Sequence, residues 1–142
     1  MTSDLGRPSG HIRTLTRAEC LDLLSTATVG RIAFVDEAGQ QLIPVNFALI
    51  GETVYFRTLP GGFLSKLRGA HRTIAFGVDH HTDLVGEGWN VTVRGLLHHA
   101  EDRATINMVL SHRRLQPWAG GVRPLVMALP IDTLDGRRVW QQ

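Results

Sequence analysis

The feature that most constrains this chain is the stretch from Gln41 to Val78, QLIPVNFALIGETVYFRTLPGGFLSKLRGAHRTIAFGV. Two strand-like runs, Gln41 to Ile50 and Thr53 to Thr58, are separated only by Gly51 and Glu52, the spacing of a hairpin. Pro44 falls inside the first run and has no backbone N–H, which confines it to an edge strand or a bulge. A short helix from Leu64, ended by Gly69, and a strand from Thr73 to Asp79 complete the stretch. Arg57, Thr58 and the bend at Pro60, Gly61 and Gly62 lie between strand and helix. Together they offer a planar cation, a hydroxyl and backbone without side chains, the groups that hold a phosphate. The same residues also suit an exposed strand end followed by a routine turn.

The rest of the chain follows the same pattern of short elements and tight turns. Residues 1–13 are polar, with Gly6, Pro8 and Gly10, and read as a flexible N-terminal arm. Thr16 and Glu19 form a capping box that opens a helix to about Thr26, with Ala18, Leu21, Leu24 and Cys20 turned inward. Gly30 to Asp36, GRIAFVD, is apolar on both sides of its alternation, as suits a strand covered on both faces. Asp36 to Gly39 supplies turn residues. His80 to Gly88 reads as a loop, and Gly88 to Ala100 as a strand with a bulge or bend at Gly95. Asp102 caps a second helix to about Leu115, with Ile106, Val109 and Leu110 as its buried stripe. A rigid loop from Gln116 to Pro124 presents Trp118. Strands at about Leu125 to Pro130 and Arg137 to Trp140 close the chain.

Hairpin-dominated order argues for a mainly antiparallel, barrel-like α+β domain rather than a doubly wound parallel sheet. The tally is six to seven strands with two to three helices in one domain, residues 14–142. At 142 residues the chain is long enough to bury a core without disulfides or metals. No apolar run approaches the ~18 residues of a membrane span, and the N-terminus has no signal-peptide pattern. The single cysteine, Cys20, excludes an intrachain disulfide. A cytoplasmic protein is the expectation. The formal charge of +2, with scattered arginines and no basic stripe interleaved with aromatics, gives no support for nucleic-acid binding.

Few other residues carry chemistry. The pairs His80-His81 and His98-His99 would point to opposite faces of a regular strand, so neither chelates one metal from one side. They read as solvated or interface histidines, and no metal site is expected. Cys20 reads as a small buried hydrophobe. Trp89 suits core or interface packing. Trp118, held by prolines and glycines, suits packing on a partner subunit or a planar ligand. No Ser-His-Asp or Cys-His set is legible, and neither is a Walker-type or G-x-G-x-x-G motif.

Several pieces in order resemble one family. They are VGRIAF from Val29, IPVNF from Ile43, VYFRT from Val54, IAFGVD from Ile74 and GWNVTVRG from Gly88, followed by PWA at Pro117 and GRR at Gly136. The chain from about residue 16 to residue 140 resembles the pyridoxamine 5'-phosphate oxidase-like flavin-binding proteins, in the small branch with the nitroimidazole-resistance-type reductases. The resemblance implies an antiparallel split β-barrel that forms a homodimer with flavin, FMN, in clefts at the subunit interface. It implies a flavin-dependent oxidoreductase acting on a small organic substrate by hydride transfer. Pro44, Val45 and Asn46 would meet the ring edge, Arg57 and Thr58 the phosphate, and Trp89 and the partner's Trp118 would wall the cleft.

The chain also departs from that branch, which commonly continues Pro-Gly-Ser/Thr-Lys-Leu after Phe-Arg-Thr. Gly61, Gly62, Phe63 and Leu64 stand there instead, and Ser65 and Lys66 follow two or three residues later. Either the loop shifts so that Ser65 and Lys66 reach the phosphate, or two contacts are lost. Losing two charge-assisted hydrogen bonds weakens binding by about a hundredfold or more. The alternatives are a cofactor-binding or sensing protein without turnover, or a relative using deazaflavin or haem.

Overall fold

The computed structural model describes residues 10–62, 73–116 and 124–141. Among them are ten strands and two α-helices. The strands are β1 (Gly10–Thr14), β2 (Val29–Asp36), β3 (Gly39–Asn46), β4 (Ala48–Ile50), β5 (Thr53–Thr58), β6 (Thr73–Thr82), β7 (Glu87–Leu96), β8 (His98–His99), β9 (Leu125–Pro130) and β10 (Thr133–Gln141). The helices are α1 (Arg17–Thr26) and α2 (Arg103–Leu110). A large sheet has the order β1-β10-β7-β6-β2-β3 and a small one the order β4-β5-β9-β8. Every pairing in both is antiparallel.

The core lies between the sheets and is built by alternation. Ile32 and Phe34 of β2, Ile74, Phe76 and Val78 of β6, and Val91 and Val93 of β7 point inward from the large sheet. Val54 and Phe56 of β5 and Met127 and Leu129 of β9 meet them from the small one. Phe76 stands edge-on to both Phe47 and Phe56, with ring centroids 4.9 and 5.3 Å away. A second cluster, with Val109, Leu115, Val126 and Ala48 at its centre, seats α2 on the far side of the small sheet.

The helix starts follow their sequence signals. Thr16 accepts from the Glu19 N–H at 3.2 Å, and the Glu19 carboxylate accepts from the Thr16 N–H at 3.0 Å. Cys20 and Leu24 are fully buried, with Leu23 and Ala27 packed beside them, whereas Ala18 is exposed. The buried stripe is therefore rotated from the expected one, because α1 packs on β10 and β7. Asp102 caps α2 through the Thr105 N–H at 2.9 Å, and that helix stops at Leu110. A 3₁₀ turn, Arg113–Leu115, follows instead of further α-helix.

Other boundaries also differ from the sequence reading. From Gly10 onward the expected arm is a strand, running from the pair Gly10–Gln141 to the pair Thr14–Arg137. His11 stacks on Trp140 with centroids 5.2 Å apart, and Arg13 forks onto Glu19 at 2.9 and 2.7 Å. Its partner strand comes from the other end of the chain, which local polarity does not reveal. The run from Gln41 to Ile50 breaks at the buried Phe47, and its two halves join different sheets. His80 and His81 extend β6 rather than forming a loop, because they pair with Trp89 and Gly88 across a turn closed from Gly86 N–H to Asp83 O. Gly95 is not a bulge, since Ile74 opposes it in regular register. A β-carbon there would collide with the Pro130 carbonyl oxygen, so the glycine permits a close approach of β9. The last strand begins at Thr133, earlier than expected. The helix expected from Leu64 to Gly69 lies outside the described residues. No helix among those described is long and apolar enough to cross a membrane.

Candidate functional site

The same alternation that fills the core leaves the other face of the large sheet bare among the described residues. Arg31 and Ala33 of β2, Leu42 of β3, Ala75, Gly77 and Asp79 of β6, and Asn90 and Thr92 of β7 line a trough of ≈ 500 Å³ on that face. Its floor is low because cross-strand neighbours are small. Ala33 opposes Ala75, and Gly77 lies between Arg31 and Thr92. One border carries an Arg31–Asp79 ion pair at 3.0 Å. Apolar side chains surround the trough on the same face, notably Ile12 and Val139, which face each other, Leu42, and Leu96. They are 70, 43, 66 and 52 % exposed.

The trough runs out to β3, which is the edge of the large sheet among the described residues. The Phe47 N–H donates to Thr28 O at 3.0 Å, which sets the phase of the β2–β3 ladder. By alternation, Val45 turns its backbone toward Gly30 on β2, while Pro44 and Asn46 turn theirs to the open side. Pro44 therefore occupies a place where a missing N–H costs nothing, and the Asn46 N–H faces outward. Pro44 is exposed on the trough side of the strand, whereas the Val45 side chain packs against the core. The Asn46 side-chain amide reaches the Thr28 carbonyl at 3.5 Å. Of the three expected ring-edge residues, Pro44 and Asn46 face the bare side and Val45 belongs to the core.

Arg57 and Thr58 end β5 and alternate in the same way. Thr58 faces the core and is 3 % exposed, the one buried polar side chain among the described residues. Arg57 points to the opposite side, where its guanidinium donates to Leu115 O at 3.3 Å. The two side chains therefore leave the strand on opposite faces. The bend is a closed turn in which the Gly62 N–H donates to Leu59 O at 2.9 Å. Pro60 and Gly61 occupy its centre, and Gly61 has φ +77°, the positive φ that the third residue of a type II turn requires. Ser65, Lys66 and Trp118 lie outside the described residues.

Trp89 is half-buried and faces the core side of β7. With His80 and Arg138, its cross-strand neighbours, it lines a separate hollow of ≈ 210 Å³ at the end of the sheet. Within one chain the structure does not bring Trp89 to Pro44 and Asn46, because they occupy opposite faces of the sheet.

Burial raises the pKa of the Cys20 thiol, which lies in the core away from both hollows. Among the described residues no three of His, Cys, Asp and Glu come together as a metal site would need. What the arrangement offers is a flat, largely apolar floor with polar groups along its borders and an open strand edge. That combination fits a planar ring system with hydrogen-bonding edges.

Arg31, Ala33, Ala75, Gly77, Asn90 and Thr92 went unrecognised as candidate residues from sequence. Their signal was present in GRIAFVD and TIAFGVD, which are apolar or small on both sides of the alternation. A strand exposed on one face would show polar residues there.

Comparison with known proteins adds a family. A family model described as pyridoxamine 5'-phosphate oxidase matches residues 16–138. No curated protein is similar in sequence at a significant level. Among solved structures, an FAD-binding protein from Mycobacterium smegmatis is 26 % identical, with 90 % of this chain and 98 % of that one covered at a TM-score of 0.69. An FAD-binding protein from Mesorhizobium loti is 23 % identical over 89 % of this chain and 97 % of that one, at a TM-score of 0.73. A protein from M. smegmatis that binds FAD and haem is 18 % identical over 91 % of this chain and 75 % of that one, at 0.72. The last two carry likeness of fold alone.

Proposed function

The chain belongs to the pyridoxamine 5'-phosphate oxidase family, and from that premise we propose that it is a flavin-dependent oxidoreductase working as a homodimer. In this reading the two sheets form the family's split β-barrel. A second copy covers the bare face of the large sheet, and the flavin lies along that face at the edge of β3. The observation that carries the reading is the trough of ≈ 500 Å³, with its flat floor of Ala33, Ala75 and Gly77, reaching Leu42 on β3, the outermost strand of the large sheet among the described residues.

The residues present fit the cofactor. The outward Asn46 N–H and Pro44 carbonyl would meet the polar edge of the ring. Asn90, Thr92 and Arg31 would meet its borders from the sheet. Arg57 and Thr58 stand at the strand end assigned to the phosphate, with Ser65 and Lys66 as further candidates. Trp118 of a second copy would wall the cleft. Trp89 is better assigned to the sheet's core side than to the ring. A bound flavin supplies the hydride chemistry, and the chain supplies binding, orientation and exclusion of water. No general acid or base is required of the protein, and the substrate is a small organic molecule. FMN is the flavin proposed, with FAD the nearest competitor given the 26 % identical relative named for it.

The visible spectrum of the purified protein, alone and titrated with FMN and with FAD, tests this. Flavin bands and micromolar binding are the expected outcome, with Arg57→Ala weakening FMN by about tenfold or more through a lost charge-assisted contact. A colourless protein that takes up neither flavin overturns the reading, and a Soret band moves it to haem. Flavin uptake with no reduction by any hydride donor leaves a binding or sensing protein.

A further inference from the structure

The hollow of ≈ 210 Å³ at the end of the large sheet is lined by two opposite charges that do not meet. His80, Trp89 and Arg138 are directly opposed across β6, β7 and β10, so their side chains stand in one row on the core side of the sheet. Thr82 and Glu87, also directly opposed, form the next row along the same face. Arg138 is half-buried, and its guanidinium has no ion pair or hydrogen bond among the described residues. Arg57, the other half-buried arginine among them, donates to Leu115 O, and Arg13, Arg17, Arg31 and Arg94 each meet a carboxylate. Glu87 likewise has no cation against it among the described residues. It is the diagonal neighbour of Arg138 across β7 and β10, a placement that sets β-carbons about 7–8 Å apart. One small molecule carrying both charges spans that distance. Trp89 and His80, with ring centroids 6.4 Å apart and planes tilted by 36°, wall the space without closing it.

We propose that this hollow binds a small zwitterion of the α-amino acid type with an aromatic side chain. The Arg138 fork takes the carboxylate, Glu87 takes the ammonium, and the ring lies against Trp89. The charges decide the class. A dianion such as a phosphate ester would satisfy Arg138 but face Glu87 across the same hollow, and a plain amine would leave Arg138 without an anion. A molecule with one charge of each sign completes both. Size narrows the choice further, because ≈ 210 Å³ lies below the ~300 Å³ at which sites for drug-sized ligands begin, so the hollow is too small for a flavin. The trough lies on the other face of the sheet, and the zwitterion site stands independently of the flavin reading.

The test is calorimetric titration of the full chain with three molecules of one skeleton. They are L-phenylalanine, hydrocinnamate, which lacks the ammonium, and phenethylamine, which lacks the carboxylate. Wild type is expected to bind phenylalanine at millimolar concentration or below, and about tenfold or more tightly than either of the others. Glu87→Gln should weaken phenylalanine by about tenfold or more and leave hydrocinnamate bound as before or more tightly. Arg138→Gln should weaken phenylalanine and hydrocinnamate by as much and leave phenethylamine unchanged. A general loss of fold does not produce that crossed pattern. Where Arg138→Gln does not fold, the ratio of phenylalanine to hydrocinnamate affinity in Glu87→Gln decides alone. Wild type that binds no phenylalanine at millimolar concentration, or binds hydrocinnamate equally well, overturns the proposal. So does an affinity for phenylalanine that either variant leaves unchanged. Saturating FMN should not alter phenylalanine binding, and displacement by FMN would overturn the assignment to this hollow.

Discussion

Glu19 joins β1 to α1 through one carboxylate. It accepts from Arg13 Nη1 and Nη2 at 2.9 and 2.7 Å and from the Thr16 N–H at 3.0 Å, and so holds β1 against the start of α1. The Arg13 hydrogen bond is the largest cause holding its pKa at about 2, against an ordinary 4.5. Because the folded pKa is depressed, the stabilising effect is complete above about pH 4.5 and is lost as the pH falls through about 2. Glu19→Gln should therefore melt below wild type at neutral pH, with the gap narrowing through that window and closing beneath it. A gap independent of pH would show that the ion pair contributes nothing. Thr16 and Glu19 were legible as a capping box, a local pattern. Arg13 was not, because its place depends on β1 pairing with the far end of the chain. Gly30 shows the same limit. A β-carbon there would collide with the Phe76 ring and stand 2.9 Å from Gly77 O. The Phe76 ring is fixed by Phe47 and Phe56, so it has nowhere to move. Gly30→Ala should cost about 1–3 kcal/mol in a urea unfolding experiment. An unchanged midpoint would mean the core there is softer than its geometry implies.

At the scale of elements, the hairpins were readable because each is closed by a few local residues. Gly51-Glu52 joins β4 to β5, and Gly39, at φ +108°, ends the turn into β3. The switch between sheets was not readable, because QLIPVNFALI is continuous in composition and only the burial of Phe47 breaks it. Pro44 carried the better clue. It predicted an edge or a bulge, and β3 is an edge. The phase deduced for that edge has a direct test in paired substitutions. Pro44→Val adds an N–H on the open side and should shift stability by no more than about 0.5 kcal/mol. Val45→Pro removes an N–H that faces Gly30 and should cost more than about 1 kcal/mol. Equal effects on the urea midpoint would mean the ladder runs in the opposite phase, and Asn46 would lose its outward N–H.

For the molecule as a whole, the strands GRIAFVD and TIAFGVD pose the remaining question. Their inner residues make the core, and their outer residues Ala33, Ala75 and Gly77 form a small-residue floor bordered by the Arg31–Asp79 pair. A monomer rarely exposes an apolar patch larger than about 300–600 Å² without using it, and a stable dimer covers about 800 Å² per subunit. The bare face carries Leu42 at one side and Ile12 with Val139 at the other, so its apolar residues span the sheet from edge to edge. The proposed second copy on this face would account for both the composition of the strands and the exposure of their outer residues. Leu42→Lys and Ala75→Arg place a charge on that face without touching the core, since both side chains point away from it. Each should convert a dimer to a monomer by light scattering at tens of micromolar. The wild-type melting temperature should rise with protein concentration, and that of the variants should not. Flavin affinity should fall in both, because the cleft then lacks its second wall. A wild type that is monomeric in the presence of flavin would detach the trough from any interface. Variants that stay dimeric would move the interface to another surface and leave the apolar face without an occupant.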